Sequence, residues 1–228
     1  ANGCAETGEF DLVVAVPPVP VDPTPLEVCD DGYYADMDGI AVFDLTVKDV
    51  EVTGGDPTWE VSYYVTLADA QSGMNGIDPS DAYVNVQNPQ TLFVRVTDGD
   101  TGCHALTTLT IRVLPNPTPQ DPTVIELCDD VNTGDGVEVF DLTVREAEII
   151  NGEGGVSATY HETLSDAESG ANAIADPTVY TSTSNPQTVY VRVTNDVTGC
   201  YTIVEQELVV NPLPEVVAVT DLVACEVN

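Results

Sequence analysis

The chain repeats itself, and that repetition limits the fold to a row of like domains. Glu27-Val28-Cys29-Asp30-Asp31 returns as Glu126-Leu127-Cys128-Asp129-Asp130, and residues 42–47 return letter for letter as 139–144. Asn88-Pro89-Gln90-Thr91-Leu92-Phe93-Val94-Arg95-Val96-Thr97 returns over 185–194, with Val189 and Tyr190 in place of Leu92 and Phe93. Thr101-Gly102-Cys103 returns as Thr198-Gly199-Cys200. The offset is 128 − 29 = 99 at the first cysteine and 140 − 43 = 97 afterwards, so the acidic loop is two residues shorter in the second copy. Both ends continue the pattern: residues 2–17 match 101–115, and 212–225 match 117–128. The expected organisation is the last strand of a preceding repeat (1–17), whole repeats over 23–115 and 122–212, and the first strand of a following one (215–228). A window on a longer array would look like this.

Within a repeat the signals are β. Leu92-Phe93-Val94-Arg95-Val96-Thr97, Leu109-Thr110-Ile111-Arg112-Val113 and Glu60-Val61-Ser62-Tyr63-Tyr64-Val65 alternate with period two. Asp98-Gly99-Asp100-Thr101-Gly102 between two such runs reads as a hairpin turn. Six or seven short strands in roughly 95 residues is the density of an immunoglobulin-like β-sandwich. The predicted class is all-β: tandem immunoglobulin-like sandwiches of about 97–99 residues in an extended array. Short helical turns are expected only at 67–72 and 164–169. The proline-bearing stretches 115–122 and 212–214 read as stiff joints between domains.

Charge narrows the partners. Five basic against 39 acidic residues give a net charge of −34, which repels nucleic acid and anionic lipid. Hydrophobic residues are 43% of the chain and fall in short β-branched runs, so the acidity does not imply disorder. No apolar stretch is long enough to cross a bilayer, and no membrane insertion is expected.

The six cysteines are of two kinds, three after glycine (Cys4, Cys103, Cys200) and three before an acidic residue (Cys29, Cys128, Cys225). Two pairings respect the repeat. One closes each domain on itself, Cys29–Cys103 and Cys128–Cys200, leaving Cys4 and Cys225 to pair outside the chain. The other bridges the junctions at a constant separation of 25 residues: 29 − 4, 128 − 103 and 225 − 200. Placing the last strand's start at the end of the sandwich where the first strand enters favours the intradomain pairs. Disulfides of either kind put the protein outside the cytoplasm, extracellular or on the cell surface.

The acidic loop after the first cysteine is the candidate ligand site. Asp30, Asp31 and Asp38, with Asp129, Asp130 and Asp135 as counterparts, could supply oxygens to Ca²⁺, although no bidentate Glu completes an EF-hand. The alternative is a solvated turn in which aspartate serves its own backbone. Catalysis has no support: His104 aligns with Tyr201 and His161 with Tyr64, and no Ser or Cys has a base in its sequence context. Arg95 and Arg192 are repeated and read as surface ion pairs. Trp59 with Tyr33, Tyr34, Tyr63 and Tyr64 reads as core or cross-strand packing, or else as a sugar-stacking patch.

The ordered set of L-x-x-C-D-D, F-D-L-T, D-A-x-S-G-x-N-x-I, N-P-Q-T-x-x-V-R-V-T and T-G-C, closing on N-P-L-P, resembles repeats of giant Bacteroidota surface adhesins of the flavobacterial gliding-motility type. The resemblance covers essentially the whole chain and implies export by type IX secretion. It also implies a stiff spacer role in a long surface filament, with partners in adjacent repeats of the same polypeptide and surface or glycan ligands elsewhere on it. The alternative function is a module that binds glycan or protein through its own loops.

Overall fold

The computed structural model describes residues 14–30, 37–130, 132 and 134–215. The chain divides into two compact units between Pro115 and Asn116. The first contains β1 (Leu26–Cys29), β2 (Val42–Phe43), α1 (Asp49–Thr53), β3 (Trp59–Tyr64), α2 (Leu67–Ser72), β4 (Tyr83–Val84), β5 (Gln90–Asp98) and β6 (His104–Leu114). The second repeats the order as β7 (Ile125–Cys128), β8 (Val139–Phe140), α3 (Glu146–Ile150), β9 (Val156–His161), α4 (Leu164–Ser169), β10 (Tyr180–Thr181), β11 (Gln187–Asn195) and β12 (Tyr201–Asn211). In each unit a four-stranded sheet faces a two-stranded one, β1-β6-β5-β3 with β2-β4, and β7-β12-β11-β9 with β8-β10. The predicted class holds: the chain is mostly β, with two sheet-pair domains, and 19% of the described residues are helical.

Period-two alternation builds the first core. Leu92, Val94 and Val96 of β5 point inward with Leu109, Ile111 and Val113 of β6, and meet Phe43, Leu45 and Val52 from the opposite layer. The second core repeats this with Val189, Val191, Val193, Phe140, Leu142 and Ile149. Asp98 to Cys103 makes the expected hairpin, with Gly102 N–H donating to Asp98 O and Gly102 at φ +70°.

The helices at 67–72 and 164–169 fall where the sequence places them, capped by Thr66 and Thr163. Two more were not expected. Of the run 42–47 only Val42 and Phe43 are strand; Asp44 Oδ1 then accepts from Thr46 N, caps a 3-10 turn over Leu45–Lys48, and the turn runs into α1. The capping aspartate turns the chain, and the buried Leu45 holds it there, against the β propensity of Thr46 and Val47.

The first strand of each unit pairs in parallel with the last. Leu26 lies opposite Ile111 and Cys29 opposite Leu114; Ile125 lies opposite Leu208 and Cys128 opposite Asn211. The residues before each first strand are fastened along the same unit. Thr107 Oγ1 donates to Asp22 Oδ1 and Val21 N to Val52 O in the first. In the second, Thr202 Oγ1 donates to Pro117 O at 2.6 Å and Gln120 N to Ile149 O at 2.9 Å. The proline stretch 115–122, expected to be a joint, is therefore docked on the second unit from Pro117 onward.

The Asn-Pro-Gln motif closes the sheet end. Asn185 Nδ2 donates to Val210 O and its Oδ1 accepts from Val210 N, as Asn88 does with Val113. The side chain thus imitates a neighbouring strand. Asn185→Ala leaves both half-buried backbone groups unpaired and should cost the second unit roughly 2–4 kcal/mol in denaturant unfolding. Val197→Ala, at a fully exposed turn position, should stay within about 0.5 kcal/mol of the parent.

Candidate functional site

The parallel first strand decides where the cysteines can reach. Cys29 ends β1 opposite Leu114, the last residue of β6, whereas Cys103 stands just before His104, its first. Eleven residues of strand separate the two levels, roughly 37 Å at 3.4 Å per residue. A disulfide needs Cα atoms within ~7 Å. Cys128 and Cys200 are parted in the same way by the length of β12. Cys103, half-buried, and Cys128, exposed, are both free, while Cys29 and Cys200 are each disulfide-bonded. The expected pairs Cys29–Cys103 and Cys128–Cys200 are therefore corrected: β1 does enter at the end where β6 begins, but Cys29 sits at its exit. The junction pair Cys103–Cys128 is absent too. The expectation that Cys4 and Cys225 pair outside the chain lies outside the described residues, as does most of 1–17 and 215–228.

The acidic loops use their aspartates on their own backbone. Asp30 is buried and its Oδ2 accepts from Gly39 N at 2.9 Å, while Asp38 Oδ1 accepts from Ile40 N. In the second unit the buried Asp129 Oδ2 accepts from Gly134 N and Gly136 N. Asp135 Oδ1 accepts from Val137 N, and Asp130 N donates to Glu138 Oε1. Asp31 lies outside the described residues. Among the described residues no group of three or more His, Cys, Asp or Glu side chains gathers as a metal ion requires. Asp38 and Asp135 thus serve their own turns, as does one oxygen each of the buried Asp30 and Asp129, while Asp129 Oδ1 is buried with no hydrogen-bond partner among the described residues.

The arginine expectation is also corrected. Arg95 Nη1 donates to the carbonyls of Ala70 and Gln71 at the end of α2, and Arg192 Nη1 donates to Ala167 and Glu168 at the end of α4. Each guanidinium satisfies helix carbonyls that the helix itself leaves open. Arg192 also lies over the Tyr201 ring, 3.4 Å from its centroid. The other three basic residues pair with acids: Lys48 with Glu51, Arg112 with Glu27, Arg145 with Glu148.

The remaining candidates are structural. His161 is buried; its Nδ1 donates to Ala171 O, so Nε2 accepts from Thr159 Oγ1. Tyr63 and Tyr64 are buried, which removes them from a sugar-stacking patch; the half-buried Trp59 packs on the core and also lines an open surface cleft, and Tyr33 and Tyr34 lie outside the described residues. Burial raises the carboxyl of Asp49 above its ordinary range against the opposing hydrogen bond from Tyr63, and burial with that same bond pushes the Tyr63 hydroxyl upward. Asp69 and Asp166 go the other way, held low by hydrogen bonds from Thr66 and Asn75, and from Thr163 and Asn172. With Asp30, Asp38, Asp129 and Asp135 each accepting from backbone amides, millimolar Ca²⁺ should raise the melting midpoint no further than NaCl of equal ionic strength. A Ca²⁺-specific rise would restore a cation role to the loop.

Comparison with curated proteins finds no match. Among solved structures, extracellular domains 3–5 of Drosophila OTK align at 14% identity and a TM-score of 0.32, over 85% of this chain and 60% of that one. Drosophila N-cadherin EC1–4 aligns at 14% identity and 0.24, over 69% and 42%, and EC1–3 at 14% and 0.25, over 70% and 57%. The chain thus spans less than two thirds of each of these structures. The description "Flavobacterium inter-domain disulphide bond domain" matches residues 25–119 and again 124–214. With two successive matches over most of its length, the chain belongs to the Flavobacterium inter-domain disulphide bond domain family.

Proposed function

We propose that this chain is a non-catalytic structural segment of a long extracellular surface protein, in which each repeat is joined covalently to the next by a disulfide, here Cys29 to Cys200. The observation that carries this reading is the state of the cysteines: Cys29 and Cys200 are bonded, Cys103 and Cys128 are free. Cys29 lies beside Leu114, where the chain leaves the first unit. Cys200 directly precedes Tyr201, and the neighbouring Thr202 holds Pro117, where the chain meets the second unit. Leu114 and Pro117 are three residues apart, at most ~11 Å. The 25-residue register offers Cys29 a different partner, Cys4, but its equivalent pair Cys103 and Cys128 does not use it.

Such a bond joins an acidic-type cysteine of one repeat to a glycine-type cysteine of the following one, in keeping with the family's description. It closes a loop of 200 − 29 = 171 residues and contributes about 5 kcal/mol by chain entropy. An oxidising, extracellular setting follows from it. Among the described residues no helix is long and apolar enough to cross a membrane. In this reading the repeats are spacers that set the reach of a surface adhesin, with ligand binding placed elsewhere on the polypeptide and export by type IX secretion, as the sequence resemblance implies.

Non-reducing peptide mapping of the purified chain should recover Cys29 joined to Cys200, with Cys103 and Cys128 alkylated without reductant. Recovery of Cys29 with Cys4, or of Cys103 with Cys128, would overturn the covalent link between repeats.

A further inference from the structure

Resting on that Cys29–Cys200 link, we propose that tension on the chain bypasses both sandwiches and runs only through strands that are already straight. Cys29 is the last residue of the four-residue β1, and Cys200 directly precedes the eleven-residue β12. From Pro25 to Pro212 the backbone has 212 − 25 = 187 steps, but the path through the disulfide has (29 − 25) + (212 − 200) = 16. Those steps are β1 and β12, extended strands with almost no length left to yield. Each is loaded at both ends through its own backbone, so no sheet hydrogen bond lies in the load path. Residues 30–199, which contain most of both cores, hang outside the load path.

The placement of the free cysteines extends the device to a second set of partners, namely further repeats of this kind. Cys103 directly precedes β6 and Cys128 ends β7, the positions that Cys200 and Cys29 hold in their own units. Cys103 is therefore matched to an acidic-type cysteine of a preceding repeat, and Cys128 to a glycine-type cysteine of a following one. Cys103 and Cys128 stand 128 − 103 = 25 positions apart, along β6, the docked proline segment and β7. The same spacing separates Cys200 from Cys225. An array so bonded carries tension on two interleaved covalent tracks, each alternating a 25-residue segment with a disulfide. A track of this kind cannot lengthen by unfolding the domains it skips.

The test is single-molecule pulling of the full 228-residue chain through handles attached at residues 25 and 212. Oxidised, the tether should stay within ~60 Å at loads that unfold the reduced chain. With reductant it should lengthen to roughly 650 Å, about tenfold. Protease added under load should nick residues 30–199 no faster in the oxidised chain than without load. Rapid nicking there, in chains whose Cys29–Cys200 bond is confirmed by mapping, would show the sandwiches bearing load and overturn the inference. Full lengthening without reductant, together with a different disulfide map, would instead overturn the link on which it rests.

Discussion

The parallel pairing of the first strand with the last governs where everything else in a repeat can stand. Most strand pairs in these units are antiparallel; β1 on β6 and β7 on β12 are parallel and made between the two ends of a repeat. Parallel pairing sends the incoming segment along the last strand in the same direction, so it arrives at one end of the sheet and finishes at the other. The docked residues 21–24 and 117–123 follow from that direction, held by Thr107 and Glu51 in one unit and by Thr202 and Glu148 in the other. So does the separation of each repeat's two cysteines by a full strand length. An antiparallel first strand would have brought them to the same end and made the intradomain bond the natural one.

The second dependence is on carboxylates used as fasteners. In a chain with 39 acidic residues and five basic ones, few carboxylates can find a cation. Many instead accept from backbone amides and hydroxyls. Asp44 and Asp141 hold Thr46 and Thr143, Asp56 holds Thr58, and Glu51 and Glu148 hold the segments before the first strands. Acceptor-only groups of this kind suit turns, where amides would otherwise go unpaired. The high acid content is thus partly structural, a consequence of many short elements with many ends to close.

Much of this was legible from the residues. Period-two runs located β3, β5 and β6 and their counterparts, and the short helices at 67–72 and 164–169 fell where the sequence placed them. Arg95 and Arg192 were legible as repeated positions, but their targets were not, because carbonyls at a helix end leave no sequence mark. The cysteine pairing failed for a sharper reason. Sequence placed Cys29 in the first strand and Cys103 before the last, correctly, but the outcome turned on which end of β1 carries the cysteine. In a four-residue strand that choice reverses the answer. The fact that one parallel register runs from Asp22 beside Thr107 to Cys29 beside Leu114 has no short-range signature.

Charge explains why a covalent link suits such a protein. At −34, successive units repel, and all five cations are already engaged, three with glutamates and two on helix carbonyls. Each of the five is held inside its own unit, so the acidic surplus of the chain is left without basic side chains to offset it. A noncovalent contact would also weaken or strengthen with the ionic strength of the surroundings, which an exposed protein does not control. A disulfide is indifferent to both. In the proposed reading, the bond between repeats asks for no complementary charge, which a chain with five basic residues could hardly supply.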